Sequence, residues 1–249
     1  MQLSGLSDNE LETLLHDPSS HIWGTTWWSR NIAGFIELEK RMSRFDDKVH
    51  VSLIGPGLDD INYLRIDRKP CMSKWSWDYP LLLNVVERES RKHHFDYDLN
   101  VIDLNPIILE ALKRQDSFPL PVGAGTGYLD PAGADLFFRR LATLYTHQRV
   151  EASSPKMNMY TVPCEMRGKT VFQERDMQEG RLPESHVTIA LNCIPYCDDT
   201  RKASENIANA LLPGGLLLSD SEHFHYRGDL FPFPGTKHLK GCALYMKAD

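Results

Sequence analysis

The sequence predicts an α/β fold with a mainly parallel sheet and helices on both faces. Short apolar runs rich in β-branched residues, such as VHVSLI at residues 49–54, have the pattern of buried strands. Longer amphipathic segments separate these runs, and glycine or proline ends several of them. Strands that alternate with helices are typical of parallel sheets whose two faces are both covered.

Composition excludes several classes of protein. Of the 249 residues, 41% are hydrophobic and 25% are charged, which is ordinary for a folded globular chain. No run approaches the roughly 18 apolar residues of a membrane span, and the N-terminus lacks the pattern of a secretory signal. A net charge of -6 argues against nucleic acid as a partner. The five cysteines form no CxxC pair, so we expect free thiols and a cytoplasmic location.

The first 46 residues are predicted to form a small helical N-terminal cap. Ser7 precedes DNELETLLHD and suits the N-cap of a first helix. A second helix is predicted over Thr26–Met42, where apolar residues recur at spacings of three and four. The change to strand-like runs near residue 47 predicts that residues 47–249 form the main domain.

The main domain reads as strands and helices in alternation. Strands are predicted at residues 49–54, 99–104, 169–174, 186–191, 216–219 and 241–247, and helices at 78–93, 106–115, 133–147 and 200–212. Pro106 suits the first turn of its helix, and Pro213-Gly214-Gly215 ends the last one.

Polar groups and glycines follow the predicted strands where a parallel sheet binds its ligands. The first strand ends at Gly55-Pro56-Gly57, where the backbone can approach a ligand closely. The second ends at Asp103, a carboxylate able to accept hydrogen bonds from both hydroxyls of a ribose. The third is followed by Asp176-Met177, suited to the amino group and the face of adenine. The fourth and fifth are followed by Asn192 and by Asp220.

Two other interpretations of the glycine-containing segments are rejected, a dinucleotide-binding fingerprint at Gly55 and a cofactor loop at Gly123–Gly127. The dinucleotide-binding fingerprint places its acid about 20 residues after the glycines, whereas 48 residues separate Gly55 from Asp103. Gly123–Gly127 (GAGTG) follows a segment with two prolines, which disfavour a central strand. We therefore expect that loop to lie elsewhere, over the site of the second substrate.

The order of these pieces resembles the class I S-adenosylmethionine-dependent methyltransferases. The resemblance covers residues 49–247 and rests on VSLIGPGLDD, VIDLNPIILEAL, FQERDM, VTIALNCIPY and NALLPGGLLLSDSE, of which the helix–PGG–strand element is the most specific. It implies a Rossmann-like domain, S-adenosylmethionine as cofactor, and methyl transfer as the reaction.

One branch, the chemotaxis-receptor (CheR-type) glutamate methyltransferases, is similar at further places. TTWWSR resembles the segment that precedes their catalytic domain, and LNCIPYCDD resembles their Arg-Asn-Val-x-Ile-Tyr-Phe-Asp segment. By this resemblance Asn192 contacts the cofactor, and Arg30 and Tyr196 lie near the methyl acceptor. Leu191 stands where the branch has arginine, and Cys197 where it has an aromatic residue.

These arguments define a predicted site. Its cofactor-binding residues are Gly55, Pro56, Gly57, Asp103, Leu104, Asp176, Met177, Asn192 and Cys193, and its catalytic residues are Tyr196, Arg30 and His223. No resident metal is predicted, although Glu222, His223 and His225 could together hold one. His223 is the candidate general base for a hydroxyl or amine acceptor, whereas a carboxylate acceptor needs no base. The acceptor is a protein carboxylate or a small molecule.

Two alternatives to catalysis on a carboxylate stay open. The abbreviated glycine turn and the missing arginine also fit a degenerate methyltransferase fold that binds a cofactor or a partner protein without turnover. The spacing of Asn192 and Tyr196 also resembles, with one residue too many, the Asn-Pro-Pro-Tyr loop of amino-group methyltransferases.

Overall fold

The computed structural model describes residues 28–57, 65–66, 69–70, 76–121, 131–150, 153–154, 157–220, 224–225, 228–233 and 242–249. Its helices are α1 (Trp28–Glu39), α2 (Asp78–His93), α3 (Pro106–Arg114), α4 (Pro131–Leu141), α5 (Cys164–Arg167) and α6 (Thr200–Ala210). Its strands are β1 (Val49–Ile54), β2 (Arg65–Ile66), β3 (Lys69–Pro70), β4 (Tyr97–Asp103), β5 (Ser117–Pro121), β6 (Thr146–Val150), β7 (Ser153–Ser154), β8 (Met157–Thr161), β9 (Thr170–Glu174), β10 (Ser185–Ala190), β11 (Leu211–Asp220), β12 (Leu230–Pro232) and β13 (Cys242–Lys247).

The main sheet has seven strands in the order β12-β13-β11-β10-β1-β4-β9. Strands β9, β4, β1, β10 and β11 are parallel to one another, whereas β13 is antiparallel to both β11 and β12. The predicted Rossmann-like, mainly parallel sheet is therefore confirmed.

Helices cover both faces of this sheet because side chains alternate along each strand. Val51 and Leu53 of β1 belong to a core that includes Phe35 of α1 and Leu82 of α2. Ile54, at the end of the same strand, belongs to a second core that includes Ile207 of α6, on the opposite face. The sheet is thus the middle layer of three, as its apolar strands require.

Local sequence fixes where two of these helices begin. Asn105 caps α3, because its side chain accepts a hydrogen bond from the Ile107 N–H at 2.9 Å and Pro106 occupies the first turn. Asp199 caps α6 by accepting from the Lys202 N–H at 2.9 Å. The helix ends at Ala210, and β11 then includes the Pro-Gly-Gly segment that was predicted to precede it.

Helix α1 ends at Glu39, before the predicted end at Met42, and is followed by a 3-10 turn at Met42–Arg44; the first two residues of the predicted helix over Thr26–Met42 lie outside the described residues. Phe35 and Leu38 are fully buried against the same core as the strands, and α1 packs on α2 and β13. The helix predicted after Ser7 lies outside the described residues. The division of the chain at residue 46 stays a prediction.

A small antiparallel sheet, in the order β5-β8-β6, is inserted between α3 and β9. The prediction of one helix over residues 133–147 is wrong beyond Leu141, because α4 ends there and Thr146 begins β6. Strand β5 contains Pro119 and Pro121, and among the described strands it pairs with β8 alone, at the edge where prolines are tolerated. The Gly123–Gly127 loop lies outside the described residues.

Among the residues that the structure describes, no helix is both long enough and apolar enough to cross a membrane. Cys164, Cys193, Cys197 and Cys242 are free thiols.

Candidate functional site

The carboxyl ends of the central strands meet at one edge of the sheet. Ile54 of β1 lies beside Ile102 of β4, and Asp103 lies beside Glu174 of β9. On the other side of β1, Ala190 of β10 lies beside Ser219 of β11. This registration brings the segments after β1, β4, β9 and β10 together, as the sequence predicted. We call this region the carboxyl edge.

The turn after β1 is built on two glycines in the left-handed conformation. Gly55 has φ +58° and Gly57 has φ +57°, values that side chains rarely tolerate. The Gly55 N–H donates to the Ile102 carbonyl at 2.8 Å, which ties the turn to β4. Pro56 between them is buried, and its carbonyl accepts a hydrogen bond from Ser76 Oγ at 3.4 Å.

Three predicted site residues from three different strands converge at Gly55. A Cβ atom added to Gly55 would lie 2.4 Å from Cys193 Cβ and 3.4 Å from the Met177 methyl carbon. Met177 follows β9 and Cys193 follows β10, so the absence of a side chain at Gly55 lets both segments approach the turn. No described atom lies within 4 Å of a Cβ placed on Gly57.

Asp103 is buried beside this turn, with only 8% of its surface exposed. Burial raises the pKa of its carboxyl group to about 6, and backbone N–H groups of Asn105, Gly57 and Leu104 partly offset that rise. The Asn105 N–H donates to Oδ1 at 2.9 Å. Leu104, the next residue, is 48% exposed. The Asp103 carboxylate is thus oriented by three backbone amides and lies beside an exposed apolar side chain. This arrangement suits a ligand that carries hydroxyl groups next to a flat apolar ring.

The segment after β9 is fastened to its neighbours on both sides. The Arg175 N–H donates to the Asp103 carbonyl at 3.0 Å, and Asp176 Oδ1 accepts from the Gln178 N–H at 2.8 Å. Asn206 of α6 donates to the Met177 carbonyl at 2.9 Å. Asp176 and Met177 are both half-buried, so each keeps part of its surface open to the carboxyl edge.

The segment after β10 contains a residue in the left-handed conformation. Asn192 has φ +57°, a value that is uncommon outside glycine and that asparagine adopts more readily than most other residues. Cys193 is 7% exposed and precedes a 3-10 turn, Ile194–Tyr196, whose Tyr196 is 44% exposed.

The thiol next to Tyr196 is not an activated nucleophile. Burial raises the pKa of Cys197 to about 11, and the carboxylates of Asp176, Asp198 and Asp199 add to the rise. Cys197 therefore remains a protonated thiol near neutral pH.

Of the predicted catalytic residues, Tyr196 lies at the carboxyl edge. Arg30 lies in α1, and its role stays a prediction. His223 and Glu222 lie outside the described residues. His225 is exposed, and its N–H donates to Ser204 Oγ at 3.2 Å.

An open groove of about 540 Å³ lies next to this site rather than in it. Its lining residues include none of the predicted site residues; they are Gln173, Arg175, Arg181, Leu182, Pro183 and Glu184. The candidate site is therefore defined by the convergence of loops at the carboxyl edge.

Sequence reasoning missed four polar residues that hold the site together: Ser76, Gln115, Gln178 and Asn206. All four act through contacts with segments distant in the sequence, and no local pattern marks them. The one available signal was Asp199, a residue type that is typical of a helix N-cap. It indicates that α6 begins beside the segment after β10; the Gln178 contact is made at this cap and the Asn206 contact from this helix.

No family model and no curated protein matches this sequence. Among solved structures, the chain is similar to the N-methyltransferase NodS of Bradyrhizobium japonicum WM9 in complex with S-adenosylhomocysteine, at 12% identity, 97% coverage of this chain, 100% coverage of NodS and a TM-score of 0.40. It is similar to a methyltransferase of Geobacter sulfurreducens, also with S-adenosylhomocysteine, at 12% identity, 76% and 47% coverage and a TM-score of 0.33. A third similar structure is the [4+2]-cyclase SpnF, at 12% identity, 85% and 55% coverage and a TM-score of 0.36. The chain thus spans about half the length of these last two proteins.

Proposed function

We propose that this protein is an S-adenosylmethionine-dependent methyltransferase. The observation that carries the proposal is the buried Asp103 carboxylate, which lies beside the turn where Met177 and Cys193 converge on Gly55. The site lies where strand order reverses, with β4 on one side of β1 and β10 on the other. Open α/β sheets bind their ligands at that point.

Each segment of the carboxyl edge has a role in this proposal. Asp103 accepts hydrogen bonds from the ribose hydroxyls, and the exposed Leu104 side chain packs on the adenine. Asp176 and Met177 contact the adenine amino group and the other face of the ring. The turn from Gly55 to Gly57, with Pro56, approaches the amino-acid part of the cofactor, and Asn192 and Cys193 complete the wall.

The reaction is an in-line displacement at the sulfonium methyl group. The acceptor forms a bond to the methyl carbon, the carbon–sulfur bond breaks, and its electron pair remains on sulfur as S-adenosylhomocysteine. Such a transfer depends largely on holding the two reactants in line. Tyr196 is exposed at the edge and is proposed to orient the acceptor, together with Arg30.

The acceptor is proposed to be a carboxylate of a protein or of a small molecule, as in the chemotaxis-receptor branch. A carboxylate is ionised at neutral pH and needs no general base, and the protonated Cys197 thiol supplies none. With a hydroxyl or amine acceptor, His223 would take the proton. The net charge of -6 argues against nucleic acid as a partner. The proposed location is the cytoplasm, with no membrane partner.

A second candidate function is binding without catalysis. Leu191, at the position where the chemotaxis-receptor branch has arginine, is an apolar residue that is 3% exposed. A chain that lacks this charge can retain the cofactor pocket and yet lack a productive site for an anionic acceptor.

Calorimetric titration with S-adenosylmethionine and with S-adenosylhomocysteine tests the proposal. We expect micromolar binding, weakened by about 1–3 kcal/mol in Asp103→Ala and unchanged in Asp116→Ala, whose carboxylate is exposed. If the folded wild-type protein binds neither ligand, the cofactor assignment is wrong. Binding without transfer of a labelled methyl group to any carboxylate, hydroxyl or amine acceptor tried would favour the second candidate.

A further inference from the structure

The segment Arg175–Gln178, which we call the β9 loop, is attached to the first two turns of α6 by two hydrogen bonds. Gln178 Oε1 accepts from the Asp199 N–H at 2.7 Å, at the N-cap of α6. About two turns later, Asn206 Nδ2 donates to the Met177 carbonyl at 2.9 Å. A side chain of the loop therefore binds the helix, and a side chain of the helix binds the loop.

This pairing is separate from the bonds that stabilise each element by itself. The α6 cap is made by the Asp199 side chain, which accepts from the Lys202 N–H. Gln178 accepts from the backbone N–H of Asp199 and does not take part in this cap. Within the β9 loop, Asp176 Oδ1 accepts from the Gln178 N–H at 2.8 Å and, at the longer distance of 3.4 Å, from Gln178 Nε2. Removing the Asn206 side chain thus leaves the helix cap and the internal turn of the loop intact, whereas removing the Gln178 amide keeps the cap and the shorter bond of the turn and loses the longer bond to Asp176.

The position of Met177 depends on this attachment. Its methyl carbon reaches to 3.4 Å from a Cβ placed on Gly55, so Met177 spans from β9 to the turn after β1. The side chain is partly buried and packs against the second core. Because Met177 is unbranched and flexible, its position depends on the backbone from which it projects, and the hydrogen bond from Asn206 to its carbonyl is one of the contacts that fix that backbone.

The two hydrogen bonds contribute little to global stability. Gln178 and Asn206 are half-buried and Asp199 is exposed, so water can satisfy the groups left behind when either bond is removed. These hydrogen bonds fix the position of a side chain that is proposed to contact the ligand, and they have little effect on stability. Their role is therefore to position that side chain.

We propose that Gln178 and Asn206 are positioning residues that hold Asp176 and Met177 against the adenosine half of the cofactor. This inference rests on the proposed function. It adds that the affinity of the site for adenosine-containing ligands is set from α6, by residues that do not themselves contact the ligand.

The test uses Asn206→Asp, which keeps the shape of the side chain and replaces the donor with an acceptor facing the Met177 carbonyl. Asn209→Asp is the matched control, because Asn209 is an exposed asparagine of the same helix and the charge change is identical. Gln178→Met removes the Oε1 acceptor at nearly constant length and is the second variant. Dissociation constants are measured by calorimetry for S-adenosylhomocysteine and for 5′-methylthioadenosine, which lacks the amino-acid half.

We expect both dissociation constants to rise about tenfold in Asn206→Asp and in Gln178→Met. The urea unfolding midpoint should stay at the wild-type value, and Asn209→Asp should change neither quantity. An equal loss for the two ligands assigns the effect to the adenosine half. Wild-type affinity in Asn206→Asp, or a loss accompanied by a lower unfolding midpoint, would overturn the positioning role. If wild-type protein binds neither ligand, the proposed function itself fails.

Discussion

The side chain of Gln115 forms hydrogen bonds with both backbone polar groups of Ser76. Its Oε1 accepts from the Ser76 N–H at 3.0 Å, and its Nε2 donates to the Ser76 carbonyl at 2.8 Å. Both residues are almost completely buried. The pairing joins the end of α3 to the start of α2, directly behind the turn that contains Pro56, whose carbonyl accepts from Ser76 Oγ.

The neighbouring residue extends this connection to the inserted sheet. Trp77 Nε1 donates to the Pro119 carbonyl of β5 at 2.8 Å, and Trp77 is 1% exposed. The glycine turn, the start of α2 and the inserted sheet are therefore linked through consecutive residues, Ser76 and Trp77. Trp77, which contacts the inserted sheet, is therefore adjacent in the sequence to Ser76, which contacts the glycine turn of the candidate site.

Replacing Gln115 with leucine should destabilise the protein by about 2–4 kcal/mol, because two buried backbone groups lose their partners and water cannot reach them. The free energy of unfolding is measured in urea. Gln148→Leu, at an exposed position of β6, is the control and should change stability by less than about 0.5 kcal/mol. Equal effects of the two substitutions would show that the Gln115 pairing is not maintained in solution.

The two glycines of the turn should respond differently to alanine. Gly57→Ala should cost about 1–2 kcal/mol, the penalty for a side chain in the left-handed conformation, because a Cβ there meets no atom of the described residues within 4 Å. Gly55→Ala carries the same penalty and also drives a Cβ to 2.4 Å from Cys193 Cβ, so the β10 segment must move. We expect a larger loss of unfolding free energy and no measurable binding of S-adenosylhomocysteine. Indistinguishable behaviour of the two variants would refute the close approach at Gly55.

Local patterns in the sequence predicted the strands that carry the candidate site. The runs ending at Ile54 and Asp103 are apolar and β-branched, and the following Asn105-Pro106 marks the start of a helix. Those signals are short-range, so they fix where a strand ends and which residue follows it. They therefore predicted which residues follow the strands, and the structure brings three of these residues, Gly55, Met177 and Cys193, together.

The inserted sheet was not predicted, because its residues lack the expected alternation. The first four residues of β6 are all exposed, so no apolar period marks it as a strand. The helical pattern instead continued through Tyr145, which is buried in the core although it lies in a turn after α4. Pairings such as Gln115 with Ser76 join residues 39 apart and depend on the tertiary fold alone.

Glu39, at the end of α1, should be important for holding α1, α2 and α4 together. Its carboxylate contacts Arg88 of α2 at 2.5 Å and Arg140 of α4 at 2.6 Å, and its side chain is 9% exposed. Glu39→Gln should destabilise the protein by about 2–3 kcal/mol, because two partly buried guanidinium groups lose their counter-charge. The control is Glu110→Gln in urea unfolding, because Glu110 is 45% exposed and pairs with Lys113 at the surface. A Glu39→Gln effect no larger than that of the control would contradict this role.

Asp103 should give the protein a distinctive pH dependence of stability. Its pKa is about 6 in the folded state, against 3.8 ordinarily, so the folded protein keeps this proton over a range where the unfolded chain has released it. The Asp103 contribution to stability is therefore greatest below about pH 4, falls as pH rises to about 6, and is constant above that. A shift of roughly two units corresponds to about 3 kcal/mol.

Asp103→Asn isolates this contribution, because an amide does not titrate. The unfolding free energy of Asp103→Asn relative to wild type should increase by about 3 kcal/mol between about pH 4 and pH 7. Taking the difference removes carboxyl groups such as Glu87 and Asp98, whose lowered pKa values act in the opposite direction. Asp116→Asn, at an exposed carboxyl group, should show no such trend. A pH-independent difference for Asp103→Asn would mean that the carboxyl group is exposed to water. It would then not be the buried, oriented acceptor for ribose hydroxyls that the proposed site requires.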